Sequence, residues 1–346
     1  MASDLTLIPA GDRRIGWQGH VSLESIGGFG GAMKAWRIPF ADRGLFPGVA
    51  ERAEMASGVR LSVVTDSRRL ALRGVYQVDD ANFSRPAQAM VGGQIIDVPT
   101  DGTAVDLPGD GLREVSLWLP QVGTIVVEGV AIDSGATLRR PEEDERPRWI
   151  TYGSSITHCA EASGPLRTWA ARVANEAGLN LTNLGYAGQC LLDPMVARLI
   201  RDLPADYISV CCGINIYGDG GFSQRTLPAA IIGTIELLRE GHPDVPLCLI
   251  SPIFSPPREQ VASNGLTLVD FRRIIARVVK LLRDRGDESL HYVDGLSIFG
   301  PDSIPAGASM ADLLPDELHP NDAAQPVVAA NVMQHVVRGA FGLQED

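Results

Sequence analysis

The chain has 346 residues and a formal net charge of −12, from 42 acidic and 30 basic residues. This acidic balance argues against nucleic acid or an anionic membrane surface as a partner. The hydrophobic fraction of 45% and the charged fraction of 21% are typical of a globular protein, and the length favours two domains.

The chain begins with MASDLTLIPAGDRRIGW, which contains no apolar segment of the kind found in signal peptides. No apolar run anywhere is long enough to cross a bilayer. There are five cysteines, and an odd number without C-x-x-C spacing favours reduced thiols over disulfides or a metal site. We therefore expect a cytoplasmic protein with no membrane partner and no metal.

Residues 1–140 are predicted to be rich in β-strands. Val59–Val64 and Leu70–Val78 alternate apolar and polar residues on either side of a turn, as in a hairpin. Further short strands are separated by Gly, Pro and Asp, and long helical periods are absent. A β-sandwich or jelly roll is the expected architecture. Residues 141–148 are charged, contain proline and lack apolar side chains, which predicts a linker.

From residue 149 to 346 the pattern changes to alternating strands and helices. Helices long enough for crossovers separate five short apolar strands, which are contained in WITYG, LNLTNLG, DYISVCCG, VPLCLISPI and LHYVDG. This alternation predicts a parallel sheet with helices on both faces. The expected fold is a flavodoxin-like three-layer α/β/α domain with strand order 2-1-3-4-5.

Polar residues follow the first three of these strands. Ser155 comes after the first strand, Gly188 after the second and Asn215 after the third. Ligands of open α/β sheets bind beyond the carboxyl ends of the strands. In the order 2-1-3 the three loops are neighbours, so the sequence predicts a site at this edge of the sheet.

The residue types fit acyl-transfer chemistry. A serine hydroxyl is a weak nucleophile and needs an adjacent base. A histidine can be that base near neutral pH, and His319 stands in DELHP, three residues after Asp316. Asp316 could hold the second imidazole nitrogen, although Glu317 is a competing carboxylate and Ser154 a competing hydroxyl.

A tetrahedral intermediate also needs fixed donors around its oxyanion. The side-chain amide of Asn215 and the backbone N–H groups of Gly188 and Ser155 suit that role. A glycine at position 188 leaves no Cβ between the backbone and a substrate. We therefore predict an oxyanion hole formed by these three residues.

Four short motifs resemble conserved blocks of the SGNH (GDSL-type) hydrolases. GSSIT is similar to the first block, NLGYAG to the second, GIN to the third and DELHP to the fifth, in the family's order within residues 149–342. The resemblance implies that Ser155 is the nucleophile, His319 the base and Asp316 its orienting carboxylate. The G-x-S-x-G elbow of the α/β-hydrolases is missing around Ser155.

Two positions depart from the family pattern. Ser154 stands where the family usually has Asp, and Ile216 follows Asn215 where Asp is common. Neither position has a core catalytic role in the family, so we expect the mechanism to be unchanged. Five further residues near the blocks are candidates for the border of a substrate pocket: His158, Tyr186, Gln189, Ile216 and Tyr217.

The N-terminal β-region resembles the extra jelly-roll module of some family members, including certain carbohydrate esterases and a polyketide-tailoring acyltransferase. The whole pattern predicts a serine-dependent carboxylester hydrolase that acts on a small acyl ester through an acyl-enzyme and requires no cofactor. One alternative is an acyltransferase that delivers the acyl group to a sugar or polyketide hydroxyl. Another is a carbohydrate-binding protein with an inactive catalytic domain. The sequence indicates no particular oligomeric state.

Overall fold

The computed structural model of the chain describes residues 4–28 and 30–344. They fall into two compact units. The first unit extends to Glu145 and also includes Ser163–Arg167, while the second comprises Arg146–Ala162 and the chain from Thr168 onward. The sequence did not predict that Ser163–Arg167 would belong to the first unit. There the Leu166 backbone N–H donates to Gln88 Oε1 at 2.9 Å.

The first unit is rich in β-strands, as predicted. Its described strands are β1 (Leu5–Pro9), β2 (Gly16–Gln18), β3 (Ser22–Ile26), β4 (Ala32–Trp36), β5 (Arg60–Thr65), β6 (Arg69–Gln77), β7 (Ala87–Val91), β8 (Gln94–Val98), β9 (Val105–Asp106), β10 (Arg113–Trp118), β11 (Thr124–Asp133) and β12 (Leu138–Arg139). Its helical segments are α1 (Ala50–Ala53) and the 3₁₀ turns Phe40–Leu45, Ala81–Phe83 and Pro165–Arg167.

These strands form two antiparallel sheets. One has the order β3-β4-β11-β6-β9 with β1 on β11, and the other has the order β12-β5-β10-β7-β8 with β2 on β5. Side chains two residues apart share one face of a strand, so Leu61 and Val63 of β5 are buried beside their β10 partners Leu117 and Val115. Apolar residues of both sheets join in one core cluster, which makes this unit a β-sandwich. Its jelly-roll connectivity stays a prediction.

The second unit confirms the predicted α/β class. Its strands are β13 (Arg148–Gly153), β14 (Asn180–Gly185), β15 (Tyr207–Cys211), β16 (Leu247–Ile250) and β17 (Leu290–Val293). All neighbouring pairs are parallel, and the sheet order β14-β13-β15-β16-β17 is the predicted 2-1-3-4-5. The carboxyl ends of β13, β14 and β15 therefore lie side by side.

Helices connect these strands. They are α2 (Ser155–His158), α3 (Trp169–Glu176), α4 (Pro194–Asp202), α5 (Ile214–Asp219), α6 (Leu227–Arg239), α7 (Leu268–Arg283), α8 (Gly295–Ile298), α9 (Met310–Leu313) and α10 (Gln325–Val332), with 3₁₀ turns at Pro256–Arg258, Pro301–Ser303 and Asp322–Ala324. The predicted final helix differs in detail, because α10 continues as a π-helix over Met333–Ala340.

Helix α7 shows how local sequence sets these elements. Thr267 Oγ1 accepts from the Asp270 backbone N–H, and the Asp270 carboxylate accepts from the Thr267 backbone N–H, so a capping box begins the helix. Apolar residues at helical spacing, including Phe271, Ile275 and Val279, face the interior. Within the described ranges no helix is both long and apolar enough to cross a membrane.

Candidate active site

The first strand of the parallel sheet delivers a serine to its carboxyl edge. Strand β13 ends at Gly153, and α2 begins two residues later. The Ser154 hydroxyl accepts from the Ile156 backbone N–H at 3.2 Å and so caps α2. The Ser155 Oγ instead lies 2.8 Å from His319 Nε2. Of the two adjacent serines, Ser154 serves the helix start and Ser155 contacts the imidazole.

The imidazole is held by a carboxylate within the same tight turn. His319 Nδ1 lies 2.6 Å from Asp316 Oδ2, and Asp316 Oδ1 accepts from the backbone N–H groups of His319 at 2.7 Å and Leu318 at 3.0 Å. Partial burial raises the pKa of Asp316, but the hydrogen bonds from His319 and Leu318 outweigh it and bring that pKa below its ordinary value. An ionised Asp316 can only accept, so Nδ1 carries the proton and Nε2 is left to accept from Ser155.

Two of the predicted oxyanion donors follow neighbouring strands of the sheet: Gly188 lies in the loop after β14, and Asn215 lies in the first turn of α5, after β15. The Asn215 Oδ1 accepts from the Cys190 backbone N–H at 3.0 Å, which fixes the amide and leaves its Nδ2 without a partner among residues 4–28 and 30–344. Gly188 is exposed and has φ of +77°, a conformation that favours glycine. A Cβ there would meet no other described atom within 4 Å, so the glycine serves the backbone conformation.

Most of the candidate pocket residues are covered by protein atoms. His158, Tyr186, Ile216 and Tyr217 are each at most 8% exposed, whereas Gln189 is partly exposed. His158 Nδ1 lies 3.0 Å from the Gly185 carbonyl oxygen. The four buried side chains offer little surface to a ligand, and the pocket role of all five stays a prediction.

A buried glutamine, Gln325, links the turn that contains His319 to the helix that begins with Ser155. The sequence analysis did not predict this residue. The Gln325 Nε2 donates to the Pro320 carbonyl at 2.8 Å, and its Oε1 accepts from the Trp169 backbone N–H at 3.1 Å. The Trp169 indole donates to the Ile156 carbonyl at 2.8 Å. These hydrogen bonds link Ile156, which follows Ser155, to Pro320, which follows His319. A glutamine in a helix carries no sequence signal for such a role.

A cysteine nucleophile or a metal site has little support at this edge of the sheet. Burial raises the pKa of the Cys212 thiol to about 12, so it is protonated at neutral pH and is a poor nucleophile. All five cysteines are free. Across the described part of the chain, no three His, Cys, Asp or Glu side chains cluster closely enough to hold a metal ion.

Gly185 allows α2 to pack against the end of β14. A Cβ at this position would lie 2.4 Å from the His158 backbone nitrogen and 2.6 Å from the Thr157 carbonyl carbon. We expect Gly185→Ala to lower the free energy of unfolding by about 1–3 kcal/mol, because backbone atoms have to shift. Chemical denaturation measures this change.

Gly188→Ala is the matched control for Gly185→Ala. It meets no neighbouring atom but must adopt a positive φ, so it should cost only about 1 kcal/mol. A Gly185→Ala protein as stable as wild type would contradict the close packing of α2 on this strand.

A parallel sheet of order 2-1-3-4-5, with serine, histidine and aspartate bonded in series beyond its carboxyl edge, is the arrangement of an SGNH-type, ester-acting enzyme. Comparison with known proteins agrees with this class. Residues 146–338 match the model of the GDSL-like lipase/acylhydrolase family, and the chain belongs to that family. Residues 15–128 match the model of the SsfX3 N-terminal domain. The family resemblance predicted from the four motifs is thus confirmed.

Solved structures are similar over most of the chain. The salicylyl-acyltransferase SsfX3 from a tetracycline biosynthetic pathway is 32% identical with a TM-score of 0.86, and the match covers 98% of this chain and 99% of that one. A Bacteroides ovatus protein assigned as a GDSL-like lipase is 20% identical with a TM-score of 0.77, covering 99% of both chains. A family two carbohydrate esterase from Clostridium thermocellum is 16% identical with a TM-score of 0.62, covering 84% and 94%. The last two show the fold alone, and no curated protein matches.

Proposed function

We propose that the protein is a serine-dependent carboxylester hydrolase that acts on a small acyl ester through an acyl-enzyme. The observation that carries the proposal is the series of short contacts from Ser155 Oγ to His319 Nε2 (2.8 Å) and from His319 Nδ1 to Asp316 Oδ2 (2.6 Å). This series places a hydroxyl, a base and an orienting carboxylate in the relation that nucleophilic catalysis needs.

In the proposed mechanism, Ser155 Oγ attacks the ester carbonyl while His319 Nε2 takes the hydroxyl proton. The oxyanion accepts hydrogen bonds from Asn215 Nδ2 and from the backbone N–H groups of Gly188 and Ser155. His319 then gives its proton to the departing alcohol. Water attacks the acyl-enzyme with His319 again as base, and the acid leaves. Asp316 stabilises the imidazolium that forms in each half of the reaction.

The donors of this oxyanion hole are free for such use. Within residues 4–28 and 30–344, the backbone N–H groups of Ser155 and Gly188 have no hydrogen-bond partner, as is also true of Asn215 Nδ2. A donor that has no partner in the protein can form a hydrogen bond with a ligand. These free donors support the proposed oxyanion hole.

Acyl transfer to an alcohol is the second candidate function. The similarity to a salicylyl-acyltransferase at 32% identity over 98% of this chain favours it. The same residues would form the acyl-enzyme, and a sugar or polyketide hydroxyl would replace water. Exclusion of water from the acyl-enzyme decides between the two outcomes. The bonded Ser155–His319 pair speaks against a third candidate, a carbohydrate-binding protein with an inactive catalytic domain.

A panel of p-nitrophenyl acyl esters and acetylated sugars tests the proposed hydrolase. The products are separated with and without an added acceptor alcohol. Free acid as the main product in both cases supports hydrolysis, whereas a new ester as the main product with acceptor present would make acyl transfer the function. The free cysteines fit a reducing compartment, and we propose a cytoplasmic location for this activity.

Asn215→Ala tests the oxyanion role directly. We expect kcat to fall about 10²- to 10³-fold with little change in KM, because one donor to the developing oxyanion is lost. Steady-state kinetics on the best p-nitrophenyl ester measure both constants. Asn82→Ala, at an exposed position of the first unit, is the control and should keep wild-type kinetics. An Asn215→Ala enzyme with unchanged kcat would remove this residue from the proposed hole.

A further inference from the structure

The turn that presents His319 is held from outside by the loop between β16 and α7. Glu317 lies inside this turn with φ of +61°, a left-handed conformation that is costly for a residue with a Cβ. The Ser255 hydroxyl donates to the Glu317 carbonyl at 2.7 Å. Arg258 Nη1 donates to the Ser255 Oγ at 2.8 Å and approaches the same carbonyl at 3.4 Å. The turn therefore persists because neighbouring groups satisfy it.

Ser255 is itself fixed by an ion pair between a partly buried Glu259 and a buried Arg272. It is 1% exposed, and its backbone N–H donates to Glu259 Oε1 at 3.2 Å. Both oxygens of Glu259 accept from Arg272, each at 2.7 Å. Arg272 is 6% exposed and also donates to the carbonyls of Pro252 at 2.8 Å and Ile253 at 3.0 Å. A bidentate pair of this kind has a defined geometry, so the loop is a rigid support.

We infer that Ser255 is a positioning residue for the base: through the Glu317 carbonyl it sets where the imidazole of His319 lies relative to Ser155. The inference rests on the proposed function, in which His319 takes the proton of Ser155. Ser255 reaches the reacting atoms only through the turn and is not itself catalytic. Small displacements of a catalytic group are costly, since a shift of about 1 Å can lower a rate about 10²-fold.

The expected effect is smaller than that of losing a triad member, because a second anchor remains. On the other side of the turn, Gln325 still holds the Pro320 carbonyl when Ser255 is changed. The Asp316–His319 bond also stays in place. Loss of the Ser255 hydroxyl should therefore make the turn more mobile, while its remaining hydrogen bonds keep it in place.

The test compares Ser255→Ala with wild type in two assays. The first assay measures the rate constant with which a fluorophosphonate modifies Ser155, taken only over the fraction of protein that reacts. The second measures kcat and KM for p-nitrophenyl acetate. We expect the rate constant and kcat to fall about tenfold with KM unchanged. A merely structural role would lower the fraction of molecules that react and leave their rate constant unchanged.

Ser209→Ala is the matched control, since Ser209 is also a fully buried serine of the second unit. Its hydroxyl accepts from the Trp149 indole and donates to Thr151 Oγ1, both at 3.0 Å, away from the turn. This variant should lose stability but keep the wild-type rate constant. If Ser255→Ala does not fold, Arg258→Ala replaces it; this change removes the donor to Ser255 Oγ at a partly exposed position and should lower the rate constant at least threefold.

A Ser255→Ala or Arg258→Ala protein that reacts within threefold of wild type overturns the inference. In that case an unreactive Ser155→Ala protein shows that the proposed function still stands. Continued modification and turnover in Ser155→Ala would instead overturn the proposed function itself. The two failures are therefore distinguishable in one set of measurements.

Discussion

Ser155→Ala should lower kcat for p-nitrophenyl esters about 10⁴- to 10⁶-fold, because the proposed acyl-enzyme forms on this hydroxyl. The hydroxyl lies 2.8 Å from His319 Nε2 and is the only one that the described structure bonds to that imidazole. Its removal leaves the backbone of α2 and the proposed oxyanion donors in place. Binding of substrate should therefore persist, and kcat should carry the loss. Steady-state and single-turnover kinetics measure it.

The adjacent serine provides the control for this experiment. Ser154 caps α2 through the Ile156 backbone N–H, so Ser154→Ala should cost about 0.5–2 kcal/mol of stability and largely preserve turnover. The opposite pattern, with turnover lost in Ser154→Ala and kept in Ser155→Ala, would assign the nucleophile to Ser154 and disprove the proposed triad.

Asp316→Asn should lower kcat about 10⁴-fold, an effect of the size seen when this carboxylate is changed in other triads. The Asp316 Oδ2 accepts from His319 Nδ1 at 2.6 Å, and hydrogen bonds lower the pKa of this carboxyl, so it stays ionised over the range in which a histidine titrates. An amide can instead donate to Nδ1. The proton would then reside on Nε2, which could no longer accept from Ser155. The pH dependence of kcat/KM in both proteins measures the change.

Glu317→Gln is the matched control for the carboxylate. Glu317 is adjacent to Asp316 but makes its contact to Ser255 through the backbone carbonyl, so neutralising its side chain should change kcat less than about threefold. Asp316 and Glu317 both fit the DELHP motif as partners of the histidine. Full activity in Asp316→Asn together with a large loss in Glu317→Gln would reverse the proposed assignment.

Much of the fold was predictable because its signals are local. The apolar strands of residues 149–346 and the helices between them follow from periodicity over a few residues. Connections between parallel strands are short and right-handed, which leaves few possible strand orders. The sheet order 2-1-3-4-5 is the observed one. The assignment of Ser163–Arg167 to the first unit was not predictable, since it depends on a distant partner, Gln88, rather than on neighbours in sequence.

The candidate site likewise combines features that local sequence determines with contacts between distant residues. The sequence by itself determined the residue types, their order and their position after the strands, because turn chemistry and the Asp-x-x-His spacing act over three or four residues. Only the tertiary structure brought Ser155 and His319 within 2.8 Å across 164 residues, distinguished Ser155 from Ser154 by their partners, and joined Ser255 to the Glu317 carbonyl. Such contacts form between loops that packing sets side by side, and no short-range pattern encodes which loops will meet.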